Sequence, residues 1–313
     1  MSTAIVSASV CTDADTGSYL ELATRAGRAC LARAGVGPDR IGIVINAGVF
    51  RDSNICEPAV AALIQQRLEI GLDYRSGQVP AFSFDIMSGA TGVLHALTAA
   101  HCLLAPGALE YALILAGDAH PSTERTVADF PYTATGSALL LRSCPGAGGF
   151  GRPYTTETAG AVEPSGWLDL GAAGSRGRSV ISVRSGMGDP VTAAAAVARK
   201  CLAAEGMDRT DIADGTAVLL APAPIPGFTK LLAERLDVPA TAVDGVDPAV
   251  GDPYTAAPVH AYLAAADTGR LDNARVVVFL AADDSSAAAV AYRSQPVTPV
   301  DLVADLHVER IGM

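Results

Sequence analysis

Apolar residues in this chain fall into two kinds of stretch that alternate. Short, nearly unbroken runs occur at 4–10 (AIVSASV), 41–48 (IGIVINAG), 81–86 (AFSFDI), 111–117 (YALILAG) and 137–142 (SALLLR). They return at 178–183 (RSVISV), 216–222 (TAVLLAP), 275–282 (RVVVFLAA) and 287–293 (AAAVAYR). Runs of this length predict strands, and the continuous ones predict strands buried on both faces. Between them, apolar positions recur every three or four residues at 18–34, 57–69, 92–105, 191–206, 228–236 and 255–267, the helical period. Gly17 and Ser18 open the first helix and Gly35 closes it, while Pro58 suits the first position of the second. The order repeats after a Gly- and Pro-rich stretch at 145–175, and the segment from Pro296 to Met313 reads as an appended tail. Two successive halves, 1–150 and 151–313, each a mainly parallel sheet flanked by helices, imply an internal duplication in the α/β class. A dinucleotide-binding fold is the competitor, but no G-x-G-x-x-G follows the first strand.

Composition narrows the functions. Half of the 313 residues are hydrophobic and only 5% are aromatic, a balance suited to helices packed on sheets. The net charge of −11, with no basic run, argues against nucleic acid and anionic membrane surfaces as partners. The N-terminus lacks the basic and apolar regions of a signal peptide, and no window reaches the ~20 apolar residues of a membrane span. The expectation is a soluble, cytoplasmic protein. Its six cysteines (Cys11, Cys30, Cys56, Cys102, Cys144, Cys201) form no C-x-x-C pair and lack histidines at metal-ligand spacing. Reduced, mostly buried thiols are expected, with no metal and no cofactor.

The segment FSFDIMSGATGVLHAL (82–97) resembles the nucleophile region of ketoacyl-synthase III enzymes, in which a strand ending in Phe-Asp leads to a small-residue elbow and a helix. HPSTER (120–125) with FPYTATGSALLL (130–141), LLAERLDVP (231–239) and GDPYTAAPVHAYL (251–263) resemble further stretches of that family, in the same order. The resemblance implies a thiolase fold, with duplicated βαβαβαββ halves in a layered α/β/α/β/α arrangement. It also implies a Cys-His-Asn triad, and that is where this chain departs. The nucleophile position falls on Ala90, the histidine position on Pro222 and the asparagine position on Asp252 or its neighbour Pro253. Asp283 and Asp284 stand where the family has small glycines, in AADDSSA (281–287). Ala90 cannot carry an acyl group and Pro222 cannot move a proton. The family's longer N-terminal segment, which helps to bind coenzyme A, is also missing between Val10 and Ser18, and the sole tryptophan, Trp167, lies elsewhere. Gly89, Thr91 and Asp283 are the positions expected to line a substrate pocket.

Several residues could still act. Glu57 lies in RDSNICEPAVAALIQ (51–65), a region that in thiolase-fold dimers reaches the neighbour's acyl pocket. In the subgroup that joins two acyl thioesters head to head, a glutamate there serves the partner's site, removing an α-proton; a carboxylate in an apolar pocket has the raised pKa this needs. The alternative is that Glu57 only favours a helix N-terminus beside Pro58. Ser88 could replace the lost nucleophile, with His120 as its base. His95, His101 and His260 read as structural, Cys56 as a small buried hydrophobe, and the adjacent Asp283 and Asp284 as solvated loop acids, with Asp252 and this pair as possible catalytic carboxylates. The function implied is the non-nucleophile subunit of a Claisen-type acyl-condensing enzyme in fatty-acid-derived or polyketide biosynthesis. Its partner would be a thiolase-fold homologue with an intact triad, or a second copy, meeting through the strand at 81–86, and its substrate an acyl thioester. A stand-alone acyltransferase or cyclase using Ser88, and a non-catalytic scaffold, are the alternatives.

Overall fold

A computed structural model describes residues 2–55, 57–72, 80–122, 130–146, 148–158, 162, 164–168 and 181–294. The first half runs β1 (Ser2–Cys11), α1 (Tyr19–Ala34), β2 (Ile41–Asn46), α2 (Val60–Arg67), β3 (Phe82–Asp85), α3 (Gly92–Leu104), β4 (Tyr111–Asp118) and β5 (Thr135–Cys144). Its sheet has the order β1-β5-β4-β2-β3, with β4, β2 and β3 parallel and the β1–β5 and β5–β4 pairs antiparallel. The second half supplies β6 (Gly149–Phe150), β7 (Tyr154–Glu157), β8 (Ser165–Leu168), β9 (Ile181–Arg184), α4 (Pro190–Ala204), α5 (Arg209–Asp214) and β10 (Ala217–Ala221). It continues with α6 (Phe228–Leu236), β11 (Val243–Gly245), α7 (Ala257–Asp267), β12 (Val276–Ala282) and β13 (Ser286–Arg293).

The second sheet, β11-β10-β12-β13 with β6 and β7 both on β13, repeats the pattern of the first. Its β10, β11 and β12 are parallel, and β12–β13 and β13–β7 are antiparallel. The strand β7 therefore takes the place that β1 holds in the first sheet. The run at 178–183, expected to start the second half, does not: its described part, β9, pairs with β8 as a separate antiparallel ribbon. Residues 178–180 lie outside the described residues, as do Cys56, residues 123–125 and the tail from Pro296.

Burial follows from the two-residue side-chain period of the strands. One face of the first sheet (Ile43, Ile45, Ile114, Leu139) and one of the second (Val218, Leu220, Val277, Phe279) enclose α3 and α7 in a common middle layer. The intervening residues face outward. Val44, Leu113 and Leu140 pack under α1 and α2, and Leu219, Val278 and Ala289 under α4 and α6. The result is five layers, α/β/α/β/α.

Local signals set most helix ends. Ser18 caps α1 by accepting from the Glu21 amide at 3.2 Å, and Gly35 ends it at φ +64°. The second helix corrects its sequence expectation. It starts at Val60 rather than 57, because its first amides are bound by Asp85 at the end of β3, at 2.9 Å from Val60 and 2.8 Å from Ala61. Likewise one 3₁₀ turn, Tyr254–Ala256, precedes α7. Cys11, Cys30 and Cys201 are buried, but Cys102 is exposed on α3; the five described cysteines are free thiols.

Candidate functional site

Within each sheet the parallel strands end at the same edge, the place where open α/β sheets collect ligand-binding loops. Past the end of β3 the chain turns sharply through Ser88, Gly89 and Ala90 before α3 begins. Gly89 has φ +53°, and a Cβ there would lie 2.8 Å from Asp283 Oδ2 and 3.2 Å from the Tyr254 hydroxyl. A side chain at 89 would thus break the contact that organises the site. Thr91 closes the elbow by donating from Oγ1 to the Ser88 carbonyl at 2.7 Å.

Asp283 is the centre of that contact. It follows β12 and is 5% exposed, so the expectation of a solvated loop acid is wrong for it. Its Oδ1 accepts from the Ser285 amide at 2.9 Å, the Ser285 hydroxyl at 2.8 Å and the Ser286 amide at 2.9 Å. Its Oδ2 accepts from the Ala90 amide at 3.3 Å and the Tyr254 hydroxyl at 3.4 Å. The hairpin serines fix the carboxylate, and the tertiary fold lays it against the elbow. Asp284, half-buried, has its pKa raised by burial and by the charge of Asp283.

Ala90 itself is 2% exposed and packs with Phe50 and Tyr254, beside Phe130, Tyr132 and Val183. Tyr132 and Tyr254 stack at 4.1 Å between ring centroids, Phe50 stacks on Tyr132 at 5.5 Å, and Phe130 meets Tyr132 edge-on at 5.6 Å. The space above the elbow is therefore filled with aromatic rings. Tyr254 holds φ +45°, a left-handed conformation rare for an aromatic residue. The carboxylate of Asp252 accepts its amide at 2.9 Å and helps to hold it there.

Two further carboxylates have perturbed pKa values. Burial pushes Asp252 up to about 7, the charges of Asp118, Asp283 and Asp284 add to this, and the Tyr254 amide opposes it. Burial raises Asp118 to about 6, against four bonds that favour its ionised form. These come from the amides of Val49 (3.1 Å), Phe50 (2.8 Å) and Thr255 (3.1 Å) and the Thr255 hydroxyl (2.6 Å). Asp118 thus ties the loop after β2 to the start of α7, across the two halves. The sequence directs attention to His120, two residues on, and away from Asp118. A polar residue ending a fully apolar strand is the signal that points to the aspartate.

A cleft of about 910 Å³ opens on the other side of the elbow. Ser88, Gly89, Thr91 and Asp283 line it, together with Tyr254, Ser285, Ser286, Thr155, Thr156 and Glu157. His95, expected to be structural, also lines it, and burial lowers its pKa. His120 does not: its ring packs edge-on to Phe130 at 5.4 Å and its Nδ1 accepts from the Ser122 amide at 3.1 Å. The Ser88 hydroxyl pairs with Thr91 Oγ1 at 3.3 Å, so the Ser88–His120 pair is not formed. His101 bonds Thr3 at 2.8 Å and His260 bonds Thr135 at 3.1 Å, both structural as expected. Pro222 is buried just after β10, in neither the cleft lining nor the aromatic cluster. A second cleft, of about 1160 Å³, is lined by Glu205, Tyr262, Asn273, Arg275 and Arg293 and holds none of the candidate residues.

Glu57 stands apart from all of this. It is exposed, lies three residues before α2, and has no hydrogen-bond or ion-pair partner among the described residues. The helix amides it was expected to favour are taken by Asp85 instead. Among the described residues β3 is the edge of its sheet, with Phe82 in it 41% exposed and Met87 just after it 52% exposed. Among the described residues no helix is long and apolar enough to cross a membrane, and no cluster of three metal-ligating side chains occurs.

No protein-family model matches the chain. Curated relatives include a beta-ketoacyl-[acyl-carrier-protein] synthase III of Vibrio vulnificus, 29% identical over 163 residues, covering 52% of this chain and 39% of that protein. A synthase III of Shigella flexneri is 28% identical over 205 residues, 61% of this chain and 57% of that protein. The matches thus span about half the length of these relatives or less. Among solved structures, 3-oxoacyl-(acyl carrier protein) synthase III of Pseudomonas aeruginosa superposes with TM-score 0.70 at 18% identity, covering 96% of this chain and all of that one. OleA of Xanthomonas campestris, solved with bound lauric acid and lauroyl-CoA, gives 0.69 at 14% identity, covering 94% and 99%. The fold is the thiolase-like fold of ketoacyl-synthase III and OleA structures.

Proposed function

We propose that this chain is the non-nucleophile subunit of a thiolase-fold enzyme that condenses two acyl thioesters, and that it acts by supplying Glu57 to a partner with an intact Cys-His-Asn triad. The observation that carries this reading is the contrast between Ala90, whose side chain cannot react, and a carboxylate without a partner among the described residues. Ala90 is packed under aromatic rings, whereas Glu57 is exposed and has no hydrogen-bond or ion-pair partner among the described residues. Glu57 is exposed in this chain, so an apolar pocket around it would be supplied by another chain. In the joint site the partner's cysteine carries one acyl group. Glu57 takes the α-proton of the second thioester, and the carbanion attacks the acyl carbonyl with the partner's thiolate leaving. The fold shared with OleA and with the synthase III enzymes supports this chemistry.

The test is co-expression with a triad-bearing homologue. A stable complex is expected, with Glu57→Gln leaving assembly intact and lowering turnover by about 10²-fold or more, as for loss of a general base. Full activity of the Glu57→Gln complex would refute the reading.

A second reading has one observation in its favour: Ser88 and His95 line the same cleft. In a stand-alone acyltransferase or cyclase, Ser88 would be the nucleophile and His95, rather than His120, its base. An acyl adduct on the isolated chain, detected by mass spectrometry and lost on Ser88→Ala, would favour this reading over the subunit role.

A further inference from the structure

We propose that Asp283 is a second lock on the elbow, independent of the missing thiol: its carboxylate occupies the backbone amide that a reactive anion at position 90 would need. This goes beyond the subunit reading and does not depend on a partner. The amide of residue 90 lies just before Thr91, the cap of α3, close to the end where the helix dipole concentrates partial positive charge. A thiolate or developing oxyanion at such an elbow gains from that field. Here the field is already answered by a carboxylate oxygen 3.3 Å from the Ala90 nitrogen.

Three features keep the carboxylate in place. Three short bonds from Ser285 and Ser286 hold its other oxygen, so it cannot swing away without losing them. The Tyr254 hydroxyl closes on the same oxygen that meets the elbow. The missing side chain of Gly89 leaves the room the contact requires. The neighbouring acids add to the effect. Asp118, Asp252 and Asp284 act with Asp283 on Tyr132, and Asp118 and Asp252 also on Tyr254, the residue packed against Ala90. In a poorly solvated site, a second negative charge beside a fixed carboxylate is disfavoured. Asp283 thus turns a position suited to a thiolate into one that holds a thiol protonated. Restoring cysteine alone would not restore a nucleophile.

The test introduces a thiol and reads its pKa from the thiolate absorbance near 240 nm, as a difference from the parent protein. This readout does not require reagent access past the aromatic rings. In Ala90→Cys the new thiol is expected to titrate at or above the ~8.5 of a free cysteine, despite its helix N-terminus. In Ala90→Cys/Asp283→Asn and Ala90→Cys/Asp283→Ser the pKa is expected to fall far enough to raise the thiolate-to-thiol ratio at fixed pH about tenfold or more. A pKa below about 7.5 in Ala90→Cys alone overturns the proposal, whether or not the double variants fold. So does an unchanged pKa in a double variant whose circular dichroism matches the parent.

Discussion

At the scale of single residues, the acids of this site behave in ways their positions in the chain do not announce. Asp252, in the loop before α7, is pushed up to about 7 by burial and by its acidic neighbours. Its folded pKa is raised above the ordinary value of 3.8, so the native state holds its proton more tightly than the unfolded chain does. Its contribution is therefore most favourable in acid and is lost as pH rises from about 4 to about 7. Asparagine at this position keeps an acceptor for the Tyr254 amide without the charge. Asp252→Asn is expected to be more stable than the parent at pH 8, by on the order of 1 kcal/mol or more. That advantage should shrink towards pH 4, which urea denaturation at both pH values would show. An advantage independent of pH would mean that Asp252 is not the group responsible.

At the scale of elements, the two sheets obey the side-chain periodicities, but the site depends on bonds between elements far apart in sequence. Asp85 ends β3 and binds the first amides of α2, and it also accepts from Asn46 Nδ2 at 3.2 Å. In the sequence the Phe-Asp pair is part of the resemblance to a nucleophile elbow. In the structure its aspartate anchors the helix that follows Glu57. Asp85→Ala should cost about 1–3 kcal/mol, since it leaves helix amides without partners. Hydrogen exchange should quicken at residues 60 and 61 while α1 keeps its protection. Equal loss of protection in both helices would show global destabilisation instead.

At the scale of the whole molecule, the two sheets share the middle layer of α3 and α7, so the elbow before α3 and the loop before α7 are brought face to face by one common core. Asp118 and Asp283 then bond across that junction. Among the described residues β3 is the edge strand of its sheet and carries Phe82 at the surface, and a sheet edge with apolar side chains invites pairing with another chain. On the proposed pairing through β3, Phe82→Lys is expected to shift any such assembly towards monomers in sedimentation velocity, with little change in the chain's own unfolding midpoint. An unaltered assembly would place the interface elsewhere.

Sequence periodicity alone carries the longer strands and helices and their alternation, because burial on one or both faces of an element writes itself into neighbouring positions. The family resemblance adds the five layers. The short β7 is not legible in the sequence, because its residues YTTE show no apolar run and it is a strand only by pairing with β13. The pairing of β9 with β8, the capping of α2 by Asp85, the exchange of His120 for His95 at the cleft, and the burial of Asp283 against the elbow are decided by tertiary structure. Each depends on which groups from distant parts of the chain meet at hydrogen-bond distance, and a pattern of neighbours along the chain does not contain that information.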